Sequence, residues 1–170
     1  MEKNIILVGL MGAGKSSIGI ELSKYLGFEF YDTDMMIELE QNIKISQIFS
    51  TYGEEYFRNL ETVMISKVSS FSRSVISTGG GSIQNVDNLA KLKQNGVVFY
   101  LKANPETLFE RVKDDANRPL LQTENPLAIL KELLLKREKN YMLADVIIET
   151  DNKDKIDIAK EIVKEYNARA

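Results

Sequence analysis

Gly9-Leu10-Met11-Gly12-Ala13-Gly14-Lys15-Ser16 fits the pattern G-x-x-x-x-G-K-[ST], which restricts the fold more than any other stretch of the chain. The pattern works only between a strand and a helix, and both flanks comply. Ile5-Ile6-Leu7-Val8 is a short apolar run of β-branched character, as in a strand buried on both faces. Residues 16–26 then carry Ile18, Leu22, Tyr25 and Leu26 at helical spacing, stopped by Gly27. Glycines let successive backbone N–H groups curl round a phosphate, and the helix N-terminus adds partial positive charge. Lys15 can reach β- and γ-phosphates, and the Ser16 hydroxyl can ligate Mg²⁺. A Gly-rich turn that merely precedes a helix accounts for the glycines but not for the Lys-Ser pair.

Further short apolar runs at 28–31, 75–78, 97–101 and 146–149 alternate with helix-like segments, so five strands are expected in a mostly parallel sheet with helices on both faces. Two stretches break the alternation. Residues 34–73 are enough for several helices and read as an inserted subregion. Residues 114–126 interrupt helical periodicity between helices expected at 106–113 and 127–144, and read as a mobile flap. With 170 residues and no repeats or linkers, these are elaborations of one domain, 1–170.

Composition narrows the chemistry. Lys and Arg number 22 against 25 Asp and Glu, a net charge of -3, so there is no global field for nucleic acid or an anionic membrane. No apolar run is long enough to span a bilayer, and the run 5–13 reads as mature sequence rather than a signal peptide. The absence of Cys fits a reducing compartment, and a cytoplasmic monomer is expected. With no Cys and no His, the reaction must use carboxylates, Lys, Arg, hydroxyls or backbone. A nucleotide hydrolase would place an acid at the end of a further strand, but the run 75–78 leads into Gly79-Gly80-Gly81. Asn152-Lys153-Asp154 approaches a guanine-reading motif with its Asp one residue too early, which favours ATP over GTP.

Acceptor-side candidates follow the strands. Asp32 and Asp34 emerge at the C-terminal sheet edge, where ligands of open α/β folds bind. One can organise the Mg²⁺ shell and the other an acceptor hydroxyl, or Asp34 can cap a helix beginning at Met35. Arg58 has acids three and four residues away, so a helix-face ion pair competes with ligand binding. Arg137 has no acid at those distances and needs a partner from elsewhere. Two Arg residues aimed into one pocket could clamp a carboxylate. Gly79 to Gly81 permit close backbone approach or simply a tight turn. Arg118, in the flap, could swing onto a transferring phosphoryl group, whereas Lys136 with Glu132 reads as a surface pair.

Taken in order, GLMGAGKSSIG (9–19), DTD (32–34), GEEYFRNLE (53–61), STGGG (77–81), RPLL (118–121) and the run Arg137, Tyr141, Ala144-Asp145 resemble the shikimate kinase family over nearly the whole chain. The resemblance implies a nucleoside-monophosphate-kinase-like three-layer P-loop fold with strand order 2-3-1-4-5, a substrate-binding subregion at 33–61 and a lid at 114–126. It implies transfer of the ATP γ-phosphoryl group to the 3-hydroxyl of shikimate, with Mg²⁺, in aromatic amino acid biosynthesis through chorismate. Position by position it puts Gly12, Ala13, Gly14, Lys15, Ser16, Ser17, Arg111 and Arg118 on the nucleotide, Arg111 against adenine, and Ser16 and Asp32 on the metal. Asp34 would take the acceptor hydroxyl, Arg58 and Arg137 the shikimate carboxylate, and Gly79, Gly80 and Gly81 the pocket lining. Lys15, Asp34 and Arg118 would be catalytic. Ser17 stands where a Thr is more usual, and residues 152–155 match the family's adenine loop poorly. The alternatives are another small hydroxy acid such as gluconate, and a nucleotide-dependent switch that binds a protein. The missing strand-end acid and the two arginines argue against the switch.

Overall fold

The computed structural model describes residues 2–115 and 122–169, so Arg118 and the rest of RPLL lie outside the described residues. Strand β1 (Asn4–Val8) is buried at every position and occupies the middle of a five-stranded parallel sheet of order β2-β3-β1-β4-β5. Ile5 pairs with Val75 on β3 (Ser74–Ser77) and with Val97 on β4 (Gly96–Lys102), while β2 (Glu29–Asp32) and β5 (Val146–Glu149) form the edges. Central strands covered on both faces explain why β1 and β4 are largely apolar without alternation and why β3 is buried at every position, its terminal serines included.

The connection from β1 to β2 runs toward one edge, and those from β3 to β4 and β4 to β5 run toward the other. Right-handed crossovers therefore put α1 (Lys15–Leu26) on one face and α4 (Val86–Gln94), α5 (Pro105–Val112) and α6 (Pro126–Tyr141) on the opposite one. Packing agrees: α1 meets α7 (Lys155–Asn167), α3 (Ile45–Val68) meets α4, and α5 meets α6. No described helix is long and apolar enough to cross a membrane.

The second strand begins one residue later than the run 28–31 suggests. Gly27 turns left-handed at φ 66°, and the Phe28 N–H still bonds Ser23 O at 3.2 Å, so Phe28 closes α1 instead of opening β2. The shift brings Asp32 into the strand. Residues 34–73 hold two helices, α2 (Thr33–Gln41) and α3, joined through Asn42 at φ 56°. Gly53, at φ 83° and ψ 174°, breaks α3. After that break the helix buries Phe57, Glu61, Met64, Ile65 and Val68, a stripe at helical spacing that faces the core.

Candidate active site

At the C-terminal end of β1 the loop doubles back, with Ala13 N–H on Leu10 O at 3.1 Å, and α1 starts at Lys15 behind Gly14. Gly12 has φ 81°, and a Cβ there would stand 2.7 Å from the carbonyl oxygen of Leu108 in α5. Only glycine fits both constraints. The Lys15 ammonium lies over the loop, donating to Gly9 O at 2.7 Å and Leu10 O at 3.2 Å. Ser17 is exposed on α1. Arg111 reaches back from α5, donating to Gly12 O at 3.2 Å and Thr150 O at 3.1 Å, and so ties the phosphate loop to the end of β5.

Asp32 has two duties. Its Oδ2 accepts the Ser16 hydroxyl at 2.8 Å, and its Oδ1 accepts the N–H groups of Asp34 and Met35 at 3.1 and 3.2 Å. Helix α2 therefore begins at Thr33 and is capped by Asp32. That corrects the alternative in which Asp34 caps a helix starting at Met35. The Asp34 carboxyl is left over for something else: its Oδ1 is buried without a hydrogen-bond partner among the described residues. Burial, then the neighbouring Asp32 and Glu61 carboxylates, push its pKa up to about 6, with Lys15 and Arg58 pulling the other way. Ser16 and Asp32 supply two hard oxygen donors side by side. Among the described residues no group of three or more acids is arranged to hold a metal ion by itself. Such a pair fits Mg²⁺, which keeps most of its shell as water and phosphate oxygen, better than a cation held wholly by protein.

The turn after β3 collects the remaining candidates. A Cβ on Gly79 would meet Asp34 Oδ1 at 2.6 Å and Glu61 Oε1 at 2.8 Å. On Gly80 it would lie 3.4 Å from the Arg137 guanidinium, and on Gly81 2.5 Å from that of Arg58. Asp34, Arg58 and Arg137, from three helices, thus abut three successive glycines. The turn itself is held from all sides: Gly79 N–H donates to Thr33 Oγ1 at 3.2 Å, Asn88 to Ser82 O at 2.9 Å, and Tyr141 to Gly80 O.

Arg58 does form the helix-face ion pairs its spacing allows, 2.5 Å to Glu61 and 3.3 Å to Glu54. The two possibilities coexist, because Glu61 is buried and holds the guanidinium against Gly81 rather than out in water. Lys136 pairs with Glu132 at 2.6 Å on the surface, as its spacing suggests. Asp154 caps α7 through the N–H groups of Ile156 and Asp157, and Lys153 pairs with Glu161, so the near-match to a guanine reader serves local structure. Glu61 and Ser82, joined at 2.7 Å, are site residues that motif reasoning left without a role. Glu61 could have been found as the one acid on the apolar stripe of α3.

A family model for shikimate kinase matches residues 11–167. The chain belongs to the shikimate kinase family. It is 46% identical over 164 residues to a shikimate kinase of Thermodesulfovibrio yellowstonii, covering 96% of this chain and 95% of that one. Among solved structures, a shikimate kinase from Acinetobacter baumannii in complex with shikimate is 41% identical and superposes with a TM-score of 0.93, covering 98% of this chain and 93% of that one. A gluconokinase from Sinorhizobium meliloti, at 15% identity and a TM-score of 0.66 over 98% of this chain and 93% of its own, shares the fold alone. Shikimate kinases are ATP-dependent phosphotransferases, and this chain is one by sequence and by fold.

Proposed function

We propose that the chain transfers the γ-phosphoryl group of ATP to the 3-hydroxyl of shikimate at the junction of the phosphate loop and the glycine turn, with Mg²⁺. The observation that carries this reading is the convergence of Asp34, Arg58 and Arg137 on Gly79, Gly80 and Gly81, beside Lys15. Gly12, Ala13, Gly14, Ser16 and Ser17 cradle the phosphates at the N-terminus of α1, and Arg111 backs the adenine side. Lys15 leaves the Gly9 and Leu10 carbonyls for the β- and γ-phosphates. Ser16 and Asp32 hold Mg²⁺, which offsets phosphate charge when bound.

Arg58 and Arg137 grip the carboxylate of shikimate from two sides of the glycine turn, which fixes the ring and presents one hydroxyl to Asp34. The pKa of Asp34, about 6, leaves it ionised at neutral pH yet more basic than an ordinary carboxylate. It accepts the hydrogen bond of the attacking hydroxyl and takes its proton as the new O–P bond forms and the bond from the γ-phosphorus to the β,γ-bridging oxygen breaks, releasing ADP. Arg118 joins from the 114–126 lid as a further cation on the phosphoryl group. Catalysis consists of positioning and charge compensation, with no covalent enzyme intermediate. The chain acts as one domain with its acceptor subregion at 33–61, as a cytoplasmic monomer without nucleic-acid or membrane partners.

An acceptor screen with Mg-ATP tests the reading. Shikimate should stimulate ADP release strongly, and gluconate or nucleoside monophosphates hardly at all. A neutral shikimate ester leaves two guanidinium groups without their anion and should bind about 10- to 150-fold more weakly per lost interaction. Equal use of acid and ester would remove the clamp, and preference for gluconate would remove the substrate.

A further inference from the structure

Tyr141 and Tyr100 stack in the core with ring centroids 5.0 Å apart and an interplanar angle of 27°. Both rings are almost wholly buried, yet their hydroxyls have different fates. The Tyr100 hydroxyl has no hydrogen-bond partner among the described residues. The Tyr141 hydroxyl donates to the Gly80 carbonyl, the middle of the glycine turn. The Arg137 guanidinium, one helical turn earlier on α6, reaches the same corner: a Cβ on Gly80 would lie 3.4 Å from Arg137 Nη1 and 3.8 Å from the Tyr141 oxygen. The phenol and a half-buried arginine therefore converge on the Gly80 corner of the turn.

We propose that Tyr141 is a positioning residue for shikimate, its phenol fixing the Gly80 carbonyl by donation and the Arg137 fork by acceptance, so that the carboxylate clamp is set before substrate arrives. The proposal rests on the reading that Arg137 binds the shikimate carboxylate. A phenol suits this double role because it carries one donor and acceptor lone pairs on a single atom, and so can serve a carbonyl and a guanidinium together. The arrangement keeps the phenol neutral. Burial pushes its pKa up to about 12, against a smaller pull from Arg137 and Arg58. An arginine fork already held costs less to immobilise when the carboxylate docks, so losing the phenol should appear in substrate affinity before it appears in phosphoryl transfer. Asn140, the preceding residue, donates to the carbonyls of Ile83 and Gln84 at 3.3 Å, so the end of α6 and the turn stay in register without the phenol.

The test compares Tyr141→Phe with Tyr100→Phe, which removes an equally buried hydroxyl from the stacked partner. Tyr141→Phe should raise the KM for shikimate about tenfold, the worth of one hydrogen bond to a charged or fixed partner, with the KM for ATP unchanged and kcat reduced less. Tyr100→Phe should leave all three constants as they are. In an Arg137→Ala background the Tyr141→Phe change should add no more than about twofold, because the two act through one contact. If Arg137→Ala raises the shikimate KM and Tyr141→Phe does not, the positioning role fails while the clamp stands. Unchanged KM in Arg137→Ala itself overturns both. Equal losses for shikimate and ATP, or full additivity with Arg137→Ala, make Tyr141 merely structural. Should Tyr141→Phe fail to fold, 3-fluorotyrosine at 141 keeps the ring and weakens the oxygen as an acceptor. It should then raise the KM for shikimate alone, and an unchanged KM overturns the proposal.

Discussion

In the phosphate loop a Cβ on Gly12 would strike a backbone oxygen, Leu108 O at 2.7 Å, whereas in the turn after β3 a Cβ on Gly81 would strike the Arg58 guanidinium at 2.5 Å. The first glycine makes room for main chain and adopts a left-handed φ. The second lies in ordinary backbone and makes room for a functional side chain. Accordingly the phosphate loop is built mainly from consecutive residues that expose their main chain at the start of α1. The acceptor half is built from long side chains that α2, α3 and α6 deliver to one turn. The former is continuous in sequence, though α5 closes over it at Leu108, whereas the latter is assembled from segments far apart in the chain.

Deleting the single charge of the local half should have the largest effect. Lys15→Met should lower kcat by about 10³-fold or more, since it removes a preorganised cation from the transferring phosphoryl group. The loop's own turn, Ala13 N–H to Leu10 O, persists without the ammonium. Circular dichroism should therefore show a folded protein. Near-normal turnover would shift the main catalytic load to other cations. In the acceptor half, Asp34→Asn should lower kcat by about 10²-fold, the lower range for loss of a general base, and leave the KM for ATP unchanged. Because Asp32 caps α2, Asn at 34 cannot act through helix capping. Wild-type kinetics would mean that the hydroxyl needs no base.

The two kinds of glycine give a smaller and more pointed test. In Gly81→Ala the obstacle is the far end of a flexible arginine, so the fold should survive while the KM for shikimate rises about tenfold as Arg58 is displaced. In Gly12→Ala the obstacle is backbone and φ is positive, so strain of about 1–3 kcal/mol should fall on stability and on ATP affinity instead. Thermal melts and the two KM values in parallel separate these outcomes. If both variants lose affinity for the same substrate, the two halves are not independently built.

The same contrast explains what could be read from the chain. Strand β1, the phosphate loop and α1 are contiguous, and each carries its own signal in periodicity or glycine spacing, so they were legible together with the sheet order the family resemblance implied. Strand ends slipped by a residue where a cap decided the matter, as at Phe28. Asp34 was visible as a candidate, but spacing alone could not say whether it or Asp32 caps α2, since both precede or begin the helix. Arg137 announced only the absence of a local partner; its actual neighbour, Gly80, lies far away in sequence. Glu61 was hidden among the acids of its own motif, because nothing in the order of charges tells a buried acid from a solvated one. Its place on the stripe with Phe57, Met64 and Ile65 does.

The smallest expected effect concerns what the acceptor half costs the fold. Asp34 holds its proton more tightly in the folded chain, up to about pH 6 against 3.8 for an ordinary Asp. Below 3.8 both states are protonated and no penalty exists. As pH rises from there to about 6, the unfolded chain releases a proton that the folded chain retains, so stability falls, and above 6 the whole deficit applies. A shift from 3.8 to about 6 corresponds to about 3 kcal/mol at 1.36 kcal/mol per unit. Asn at 34 carries no charge to bury beside Asp32 and Glu61. Asp34→Asn should therefore raise the melting temperature by roughly 5 °C at pH 8, part of the full deficit converted at about 2–4 °C per kcal/mol, and leave it unchanged near pH 4. Shikimate should narrow the difference at pH 8 by binding the wild type better. A variant equally stable at both pH values would mean that Asp34 is ionised without penalty, its negative charge already compensated by Lys15 and Arg58. The acceptor half would then be as free of stored strain as the phosphate loop.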